Sequence, residues 1–193
     1  MEGFETLRAI ISNRRSVKSE QMNGQKISNE DIIEIIEMAD WAPTHGRTEP
    51  WRFFVLTGDN LKKFGEHHAE LYWANTPEET RNETKKEILS KKGDNASHLV
   101  ITVMKRTEET KIIIEEEFAA TAAAVENMLL AATAKGFASF WSTGGMTHHP
   151  VMKMYLGLKE DDLVTGLIYF GKTDKVKEGI RKIPIEDKII WVS

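Results

Sequence analysis

The sequence predicts a layered α+β fold with one central sheet, formed by a single domain over residues 1–193. Helical and strand-like apolar patterns are mixed along the chain. Two helices precede the first strand, and no glycine-rich phosphate loop follows that strand, so a doubly wound parallel sheet is disfavoured. No internal repeat or break in composition marks a second domain.

Composition and charge exclude several classes of function. The chain is 40% hydrophobic and 29% charged, and its formal net charge of -4 argues against general nucleic-acid binding. It has no cysteine, which excludes disulfides, thiolate catalysis and cysteine-held metal or iron–sulfur centres. Residues 1–11 do not resemble a signal peptide, and no apolar run approaches the roughly 18 residues of a membrane span. We therefore expect a cytoplasmic protein.

Three helices are predicted before residue 74. Apolar spacing indicates the first over residues 4–13. The second, over 28–41, has Ser28 as its capping residue and acidic side chains in its first turn. Its predicted buried stripe consists of Ile32, Ile33, Ile35, Ile36 and Ala39. The third is expected to be capped by Asp59 or Asn60.

Short apolar runs predict four strands, at 51–56, 98–105, 137–141 and 163–170. The longest helix is predicted over 115–135, and its alanine run at 119–124 permits another backbone to approach closely. Thr147 is expected to cap a later helix, with Pro150 in its first turn. The apolar run at 189–192 is either a last strand or anchor within its own subunit, or a surface that packs on a partner.

Residues 74–96 differ in character from the rest of the chain. They are highly charged, contain Pro77 and Gly93, and have few apolar positions. This composition favours a solvated, mobile connection. The alternative is a lid on the substrate side, because long loops in compact domains are often functional.

Two groups of basic residues are candidates for binding a ligand. Arg14, Arg15 and Ser16 follow the first helix, and guanidinium groups match phosphate oxygens well. The alternative is that the arginines only offset the dipole of the helix. In the loop between two prolines, His45 could donate to a ligand oxygen and Arg47 could reach a phosphate. His45 is otherwise a surface histidine.

Residues 134–145 form a third candidate binding segment. Trp141 offers a flat face, and the small residues after it let backbone N–H groups approach a planar ligand and stabilise its electron-rich atoms. The alternative is a buried strand that ends in a glycine turn.

Together these segments resemble the nitroreductase family over about residues 4–172. That family has an Arg-Arg-Ser turn, an Ala-Pro-Ser loop that ends in Gln-Pro-Trp, a Gly-Leu-Gly-Ser strand with a tryptophan, and a Leu-Gly-Leu-Pro segment before a glycine-containing strand. This chain has the corresponding segments in the same order: Arg14-Arg15-Ser16, Ala42-Pro43-Thr44 with Pro50-Trp51, Gly136 to Trp141, and Leu156-Gly157-Leu158 before Gly166. The resemblance is strongest to short bacterial members described as NAD(P)H nitroreductases. It implies a nitroreductase-like layered fold, with a central, mainly antiparallel sheet flanked by helices.

The resemblance also implies a function. Members pass electrons from NADH or NADPH to nitroaromatics, quinones or related small acceptors by a ping-pong hydride mechanism. FMN would lie at the interface of a homodimer, and the flavin N5 atom would carry the chemistry in place of a catalytic side chain. No metal, nucleic acid or membrane is implied.

Site residues follow by position in the family's pattern. The FMN phosphate and ribityl chain would be held by Arg14, Arg15 and Ser16, and a basic residue after the last strand would complete the phosphate site, with the candidates Lys172, Lys175, Arg181 and Lys182. Of these four the expected site includes Lys172. Arg47 is included in the expected cofactor site on the reasoning given above for its loop, and not by its position in the family's pattern. Trp41 and His45 would reach the flavin of the partner subunit. The flavin ring would lie along Trp141, Ser142, Thr143 and Gly144, with Gly145 following. The nicotinamide nucleotide would meet Ala131, Ala132, Thr133, Ala134, Lys135 and Gly136.

This chain departs from the family's pattern in the proline loop. Arg47 or Thr48, and Glu49, replace the usual Asn and Gln, and Lys159 replaces the usual Pro after Leu-Gly-Leu. An inward-facing Glu49 would need a partner, for which Arg47 is the obvious candidate. These changes affect the expected choice of substrate more than flavin binding.

Three other interpretations remain open at this stage. A non-catalytic flavin-binding sensor or storage module would hold the same cofactor. A specialised branch, such as a dehalogenase or a flavin-cannibalising enzyme, could use residues 74–96 as its insertion. A metal enzyme is disfavoured, because the pairs His67-His68 and His148-His149 are adjacent in sequence and point about 100° apart on a helix.

Overall fold

The computed structural model describes residues 2–175 and 178–192, and confirms the α+β class. Four antiparallel strands form one sheet in the order β1-β2-β4-β3. The strands are β1 (Trp51–Thr57), β2 (His98–Met104), β3 (Ala138–Ser142) and β4 (Leu163–Gly171). The α-helices in the described residues are α1 (Glu2–Asn13), α2 (Asn29–Asp40), α3 (Asp59–Ala74), α4 (Glu83–Lys91), α5 (Ile114–Ala134) and α6 (Pro150–Tyr155).

The two central strands form the middle of the core. Every residue of β2 is buried, and so is every residue of β4 after its first, because helices cover both faces of the sheet at these strands. β1 lies at an edge of the sheet and leaves Phe54 and Val55 partly exposed. The opposite edge of the sheet is β3. Loops and helix ends lie beside this strand and can form a site.

Helix α5 packs against α2 on one side of the sheet. Its small buried residues Ala120 and Ala124 belong to the same apolar cluster as Ile32 and Ile35 of α2. Small side chains shorten the distance between helix axes, so the alanine run gives a close contact within one chain.

The capping and stripe predictions for α2 are largely confirmed. The Ser28 hydroxyl accepts a hydrogen bond from the Asp31 N–H at 3.1 Å. Ile32, Ile35 and Ala39 are buried, and Ile36 is partly buried. The prediction is wrong for Ile33, which is 55% exposed because it lies about 100° around the helix from Ile32.

Two other capping predictions are wrong. Gly58, at φ +56, precedes α3 and makes no side-chain cap, so neither Asp59 nor Asn60 is the capping residue. Helix α6 begins at Pro150 and is capped by His149, whose side chain accepts from the Val151 N–H. The Thr147 hydroxyl donates instead to the Gly144 carbonyl at 2.6 Å.

Residues 74–96 contain the nine-residue helix α4, which the sequence analysis did not predict. The Asn82 side chain caps α4, and the Asn82 N–H donates to the Tyr72 hydroxyl of α3 at 3.1 Å. Leu89 of α4 is buried against α3 and the turn after β3. A helix with one buried apolar residue has no repeating apolar stripe, so its sequence pattern does not predict it.

The run Ile189 to Val192 forms no strand and no anchor, so that interpretation is also wrong. Trp191 is 89% exposed, and Ile190 and Val192 are exposed to a similar extent. Within the described residues, no helix has the length and apolar character needed to cross a membrane.

Candidate active site

A cleft of about 310 Å³, here called the arginine cleft, lies where the turn after α1 meets the end of α5 and the start of β3. Its lining includes Arg15, Thr133, Gly136, Thr173 and Lys175. The Arg15 guanidinium donates to the carbonyls of Ser12 and Arg14 at 2.6 and 2.9 Å, which fixes its position at the cleft wall. An arginine and a lysine at one cleft favour an anionic ligand group.

The residues around Arg15 are laid along the edge strand β3. Ser16 forms a parallel bridge with Ser139, and the Val17 N–H donates to the Ser139 carbonyl at 2.9 Å. Arg14 points toward α5, where its Nε lies 3.5 Å from a carboxylate oxygen of Glu126. Arg15, not Arg14, therefore faces the cleft.

A second cleft, of about 440 Å³ and here called the lysine cleft, continues along the same strand. It is lined by Lys18, Glu20, Glu87, Ile88, Lys91, Lys92 and Phe140, with Glu20 paired to Lys18 and Glu87 paired to Lys91. Val17 and Ala138 line the arginine cleft. Lys18, which follows Val17, and Phe140, two residues after Ala138, line the lysine cleft. An elongated ligand with an anionic end could therefore occupy both clefts.

Lys92, at the end of α4, is a site residue that the sequence analysis missed. Its ammonium donates to the Ser142 hydroxyl at 2.6 Å and lies 5.7 Å from the centre of the Phe140 ring. Burial lowers the pKa of Lys92, the nearby Glu20 carboxylate opposes that shift, and the Lys18 charge adds to it. A desolvated cation of this kind favours negative charge on a neighbouring ligand.

The turn after β3 holds the residues expected along a flavin ring. Trp141 is partly buried, and its Nε1–H donates to the Thr165 carbonyl at 3.1 Å, so the indole is fixed on the sheet. Ser142 is buried under Lys92. Thr143 and Gly144 are exposed, and within the described residues their N–H groups donate to no backbone carbonyl. The turn meets the lysine cleft through the bond from Lys92 to Ser142, and residues 142–144 themselves are not in the lining of that cleft.

The residues expected to reach a partner's flavin lie elsewhere. His45 Nδ1 is 2.7 Å from a carboxylate oxygen of Glu116, in the first turn of α5, whereas Thr133 lines the arginine cleft near the end of α5. At a rise of about 1.5 Å per residue, Glu116 and Thr133 are ~25 Å apart along the helix. One chain therefore does not bring His45 and Arg15 to the same ligand.

The loop that contains His45 has an unusual backbone. Arg47 and Glu49 adopt the left-handed region at φ +54 and +43, next to Gly46 at φ +61. Such conformations are costly for residues with a Cβ atom and occur preferentially at binding sites. Both side chains are exposed, and Glu49 makes no ion pair within the described residues, so the expected pairing with Arg47 is not found. Trp41, at the end of α2, is 82% exposed.

The segment expected to meet a nicotinamide nucleotide is only partly accessible. Ala132 is fully buried, and the Lys135 ammonium is paired with Asp31 and Glu34 at 2.8 and 2.5 Å. Thr133 and Gly136 are the members of this segment that line the arginine cleft. Of the remaining two residues, Ala131 is partly buried and Ala134 is exposed.

Among the basic residues after β4, two lie near the arginine cleft. Lys175 lines it, and the Lys172 ammonium lies 5.9 Å from the centre of the Phe137 ring, which also lines it. Arg181 and Lys182 are exposed in the tail. Lys175 is therefore at least as well placed as Lys172 to complete an anion site.

The histidine pairs have separate roles in the structure. His67 stacks on Tyr155, with 4.3 Å between the ring centres, and His148 Nδ1 lies 2.9 Å from the Val164 carbonyl oxygen. His149 caps α6. Over residues 2–175 and 178–192, no three His, Asp or Glu side chains converge as metal ligands would.

His68 of α3 is buried below the turn after β3. It is 1% exposed, and its Nε2 accepts a hydrogen bond from the Met146 N–H at 2.8 Å. Because Nε2 is the acceptor, the neutral ring carries its proton on Nδ1. Burial, with smaller contributions from the charges of Lys92 and His67, lowers the pKa of His68 to about 4.

This lowered pKa predicts an acid-sensitive fold. The unfolded chain binds the His68 proton near the ordinary pKa of 6.5 and the folded chain only near 4, so the free energy of unfolding should fall by about 3 kcal/mol between those pH values. Above pH 6.5 this contribution should be constant. Urea unfolding at a series of pH values measures it.

His68→Gln keeps an acceptor but does not titrate, so it should flatten this part of the pH profile. The matched control is Asn60→Gln, at an exposed position on the same helix, which introduces the same side chain without removing a titratable group and should leave the profile as it is. Equal slopes for the unaltered protein and His68→Gln would contradict the prediction.

Comparisons with known proteins identify the family of the chain. The model of the Nitroreductase family matches residues 11–172, and the chain belongs to that family. YfhC of Bacillus subtilis, provisionally named an NAD(P)H nitroreductase, is 26% identical over 188 residues, which cover 94% of this chain and 92% of YfhC.

Solved structures of related proteins have the same fold. A nitroreductase-like family protein from Bacillus cereus superposes with a TM-score of 0.83 at 26% identity, covering 96% of this chain and 95% of that one. A nitroreductase from Bacteroides fragilis with bound FMN gives a TM-score of 0.71 at 23% identity, covering 97% and 98%.

Proposed function

We propose that this protein is an FMN-dependent oxidoreductase that passes electrons from NADH or NADPH to nitroaromatic, quinone or related small acceptors. One observation carries the proposal: the arginine cleft and the lysine cleft follow each other along β3, with a cationic end at Arg15 and Lys175 and a planar-ligand end at Phe140 and Lys92. FMN has matching chemistry, because it joins a phosphate to a flat ring through a flexible chain. The names of the relatives add support.

The residues present fit FMN by their donors. Arg15 and Lys175, with Lys172 nearby, would hold the phosphate in the arginine cleft, and the exposed Ser16 hydroxyl would meet the ribityl chain between the clefts. The ring would lie over Phe140 beside the turn 142–144. When bound, FMN supplies an acceptor and donor of hydride at N5, so no side-chain nucleophile is needed.

The protein's own contribution is electrostatic. Lys92 is held at Ser142 by its hydrogen bond, and Lys18 lines the same cleft. Together with the N–H groups of Thr143 and Gly144, these cations favour an anionic, reduced ring over a neutral one. The lysine cleft faces solvent, so the electron donor and the electron acceptor could enter and leave it in turn, as a ping-pong mechanism requires.

We further propose that the working form is a homodimer in which Trp41 and His45 of one chain reach the flavin of the other. The ~25 Å between the two sets of site residues along α5 supports this arrangement. The chain also exposes apolar side chains that a partner would cover, at α1, at the edge strand β1 and in the tail 189–192. The donor-binding role of residues 131–136 remains part of the proposal, with Thr133 and Gly136 as its accessible members.

The tail provides a test of the dimer. Replacement of Ile190 and Trp191 by serine should weaken self-association roughly 100-fold or more, because each large apolar side chain buried at an interface contributes about 1.5–3 kcal/mol. Sedimentation velocity over a concentration series measures the change. Asp187→Ser, in the same exposed tail, is the matched control and should leave the association constant unaltered. A protein that is monomeric before substitution would overturn the dimer.

The visible absorption spectrum of the purified protein tests the function. We expect a flavin spectrum that bleaches under anaerobic NADH or NADPH, and the two rates rank the donors. A flavin spectrum that persists with both donors would favour the second candidate, a non-catalytic flavin-binding module. Failure to bind added FMN would overturn both.

A further inference from the structure

We propose that His68 is a positioning residue that aims the backbone N–H groups of the turn 142–147 at the ligand in the lysine cleft. The inference rests on the proposed function, since it is the flavin ring that these N–H groups would meet. Neither His68 nor a residue of this turn lines either cleft; the turn meets the lysine cleft through Lys92, which lines that cleft and donates to Ser142.

Three side chains hold this turn from within the protein. Lys92 donates to Ser142 at its start, the Thr147 hydroxyl donates to the Gly144 carbonyl, and His68 Nε2 accepts from the Met146 N–H at its end. Between these points Thr143 and Gly144 are exposed. The direction of their N–H groups is therefore set by the three bonds around them.

In addition to this hydrogen bond, the backbone of the turn packs closely against the His68 ring. Gly145 has φ +70, and a Cβ atom at this position would lie 2.5 Å from His68 Nε2 and 2.9 Å from a methyl carbon of Leu89. The glycine therefore lets the backbone rest on the imidazole ring. Phe64, four residues earlier and therefore on the same face of α3, packs beside the ring, with 5.6 Å between the two ring centres.

The buried position of His68 costs folding free energy, which argues against a role in stability alone. Its Nδ1 is buried and has no hydrogen-bond partner among the described residues. An apolar side chain of similar size would avoid that unmet donor, but it would leave the buried Met146 N–H without an acceptor. The retained bond is the one that fixes the turn.

The test compares His68→Leu, which removes the acceptor, with His68→Gln, whose side-chain oxygen can replace Nε2. We expect His68→Leu to weaken binding of reduced FMN about tenfold more than binding of oxidised FMN, which lowers the two-electron midpoint potential by about 30 mV. His68→Gln should restore most of the difference. In FMN-free protein, hydrogen exchange at the Met146 amide should be faster in His68→Leu and slow again in His68→Gln.

Two further variants separate positioning from folding. Tyr72→Phe keeps the ring but removes the hydroxyl that accepts from the Asn82 N–H, so it should lower stability with no change in flavin potential. Gly145→Ala leaves His68 intact but pushes the turn off the ring, so it should shift the potential in the same direction as His68→Leu.

The outcomes are distinguishable. If the unaltered protein binds FMN and the potential is the same in His68→Leu, the positioning role is overturned and the proposed function stands. If Tyr72→Phe shifts the potential as much as His68→Leu, the effect is one of general stability and the positioning role is likewise overturned. If the unaltered protein binds no FMN, the proposed function is wrong, and this inference, which depends on it, is wrong as well.

Discussion

Arg15→Ala is expected to lose FMN on gel filtration while remaining folded. Charge-assisted hydrogen bonds to a phosphate contribute about 1.5–3 kcal/mol each, and a guanidinium can make two of them, so the dissociation constant should rise about 100-fold or more. Arg15 is partly exposed at the wall of the arginine cleft, so its loss should cost no more than about 1 kcal/mol of unfolding free energy. Flavin fluorescence titration and thermal melting of the FMN-free protein measure the two effects.

Arg8→Ala is the matched control for this variant. Arg8 lies on α1, is 69% exposed in its side chain, and its guanidinium is 3.7 Å from the Glu5 carboxylate. Its loss should change neither flavin content nor stability. Unchanged flavin content in Arg15→Ala would overturn the assignment of the arginine cleft to the phosphate.

Lys92→Met is expected to produce the largest change in redox behaviour. Methionine retains the length of the apolar stem over Phe140 but removes the buried charge and its bond to Ser142. A hydrogen bond to a charged group is worth about 1.5–3 kcal/mol, so affinity for reduced FMN should fall about 30-fold relative to oxidised FMN. Reductive titration with a reference dye measures this ratio.

The control for Lys92→Met lies one residue earlier on the same helix. Lys91 lines the lysine cleft at its rim, is 65% exposed in its side chain, and pairs with Glu87 at 2.6 Å. The charge of Lys91 is screened by water, so Lys91→Met should alter the ratio by much less. Equal effects of the two substitutions would mean that the general positive charge of the cleft, not Lys92, stabilises the reduced ring.

The fold was predictable where local patterns and packing agree. The strands β2 and β4 are continuous apolar runs because helices cover both their faces, and such runs stand out in the sequence. Ser28 could be recognised as a cap because its partner, the Asp31 N–H, is three residues away. Helix α4 could not be recognised, because Leu89 is its one buried residue and most of its other residues are charged.

The candidate site was predictable only where its residues belong to a local motif. Arg15 and the turn 142–144 follow from short segments whose chemistry is visible in sequence. Lys92 and His68 reach that turn from α4 and α3, which are 50 or more residues away in the chain, and nothing near them in sequence indicates the contact. The helix cap at Asn82 and the glycine at 93 are the local signals that could have placed Lys92 at a helix end.

The length of α5 has a genetic consequence. Because Arg15 and His45 lie at opposite ends of this helix, a proposed dimer would build each site from one chain's Arg15 and the other chain's His45. Two inactive alleles, one altered at each residue, would then complement one another in a cell that expresses both. A mixed dimer would contain one site with both defects and one site with neither, so activity would return without recombination.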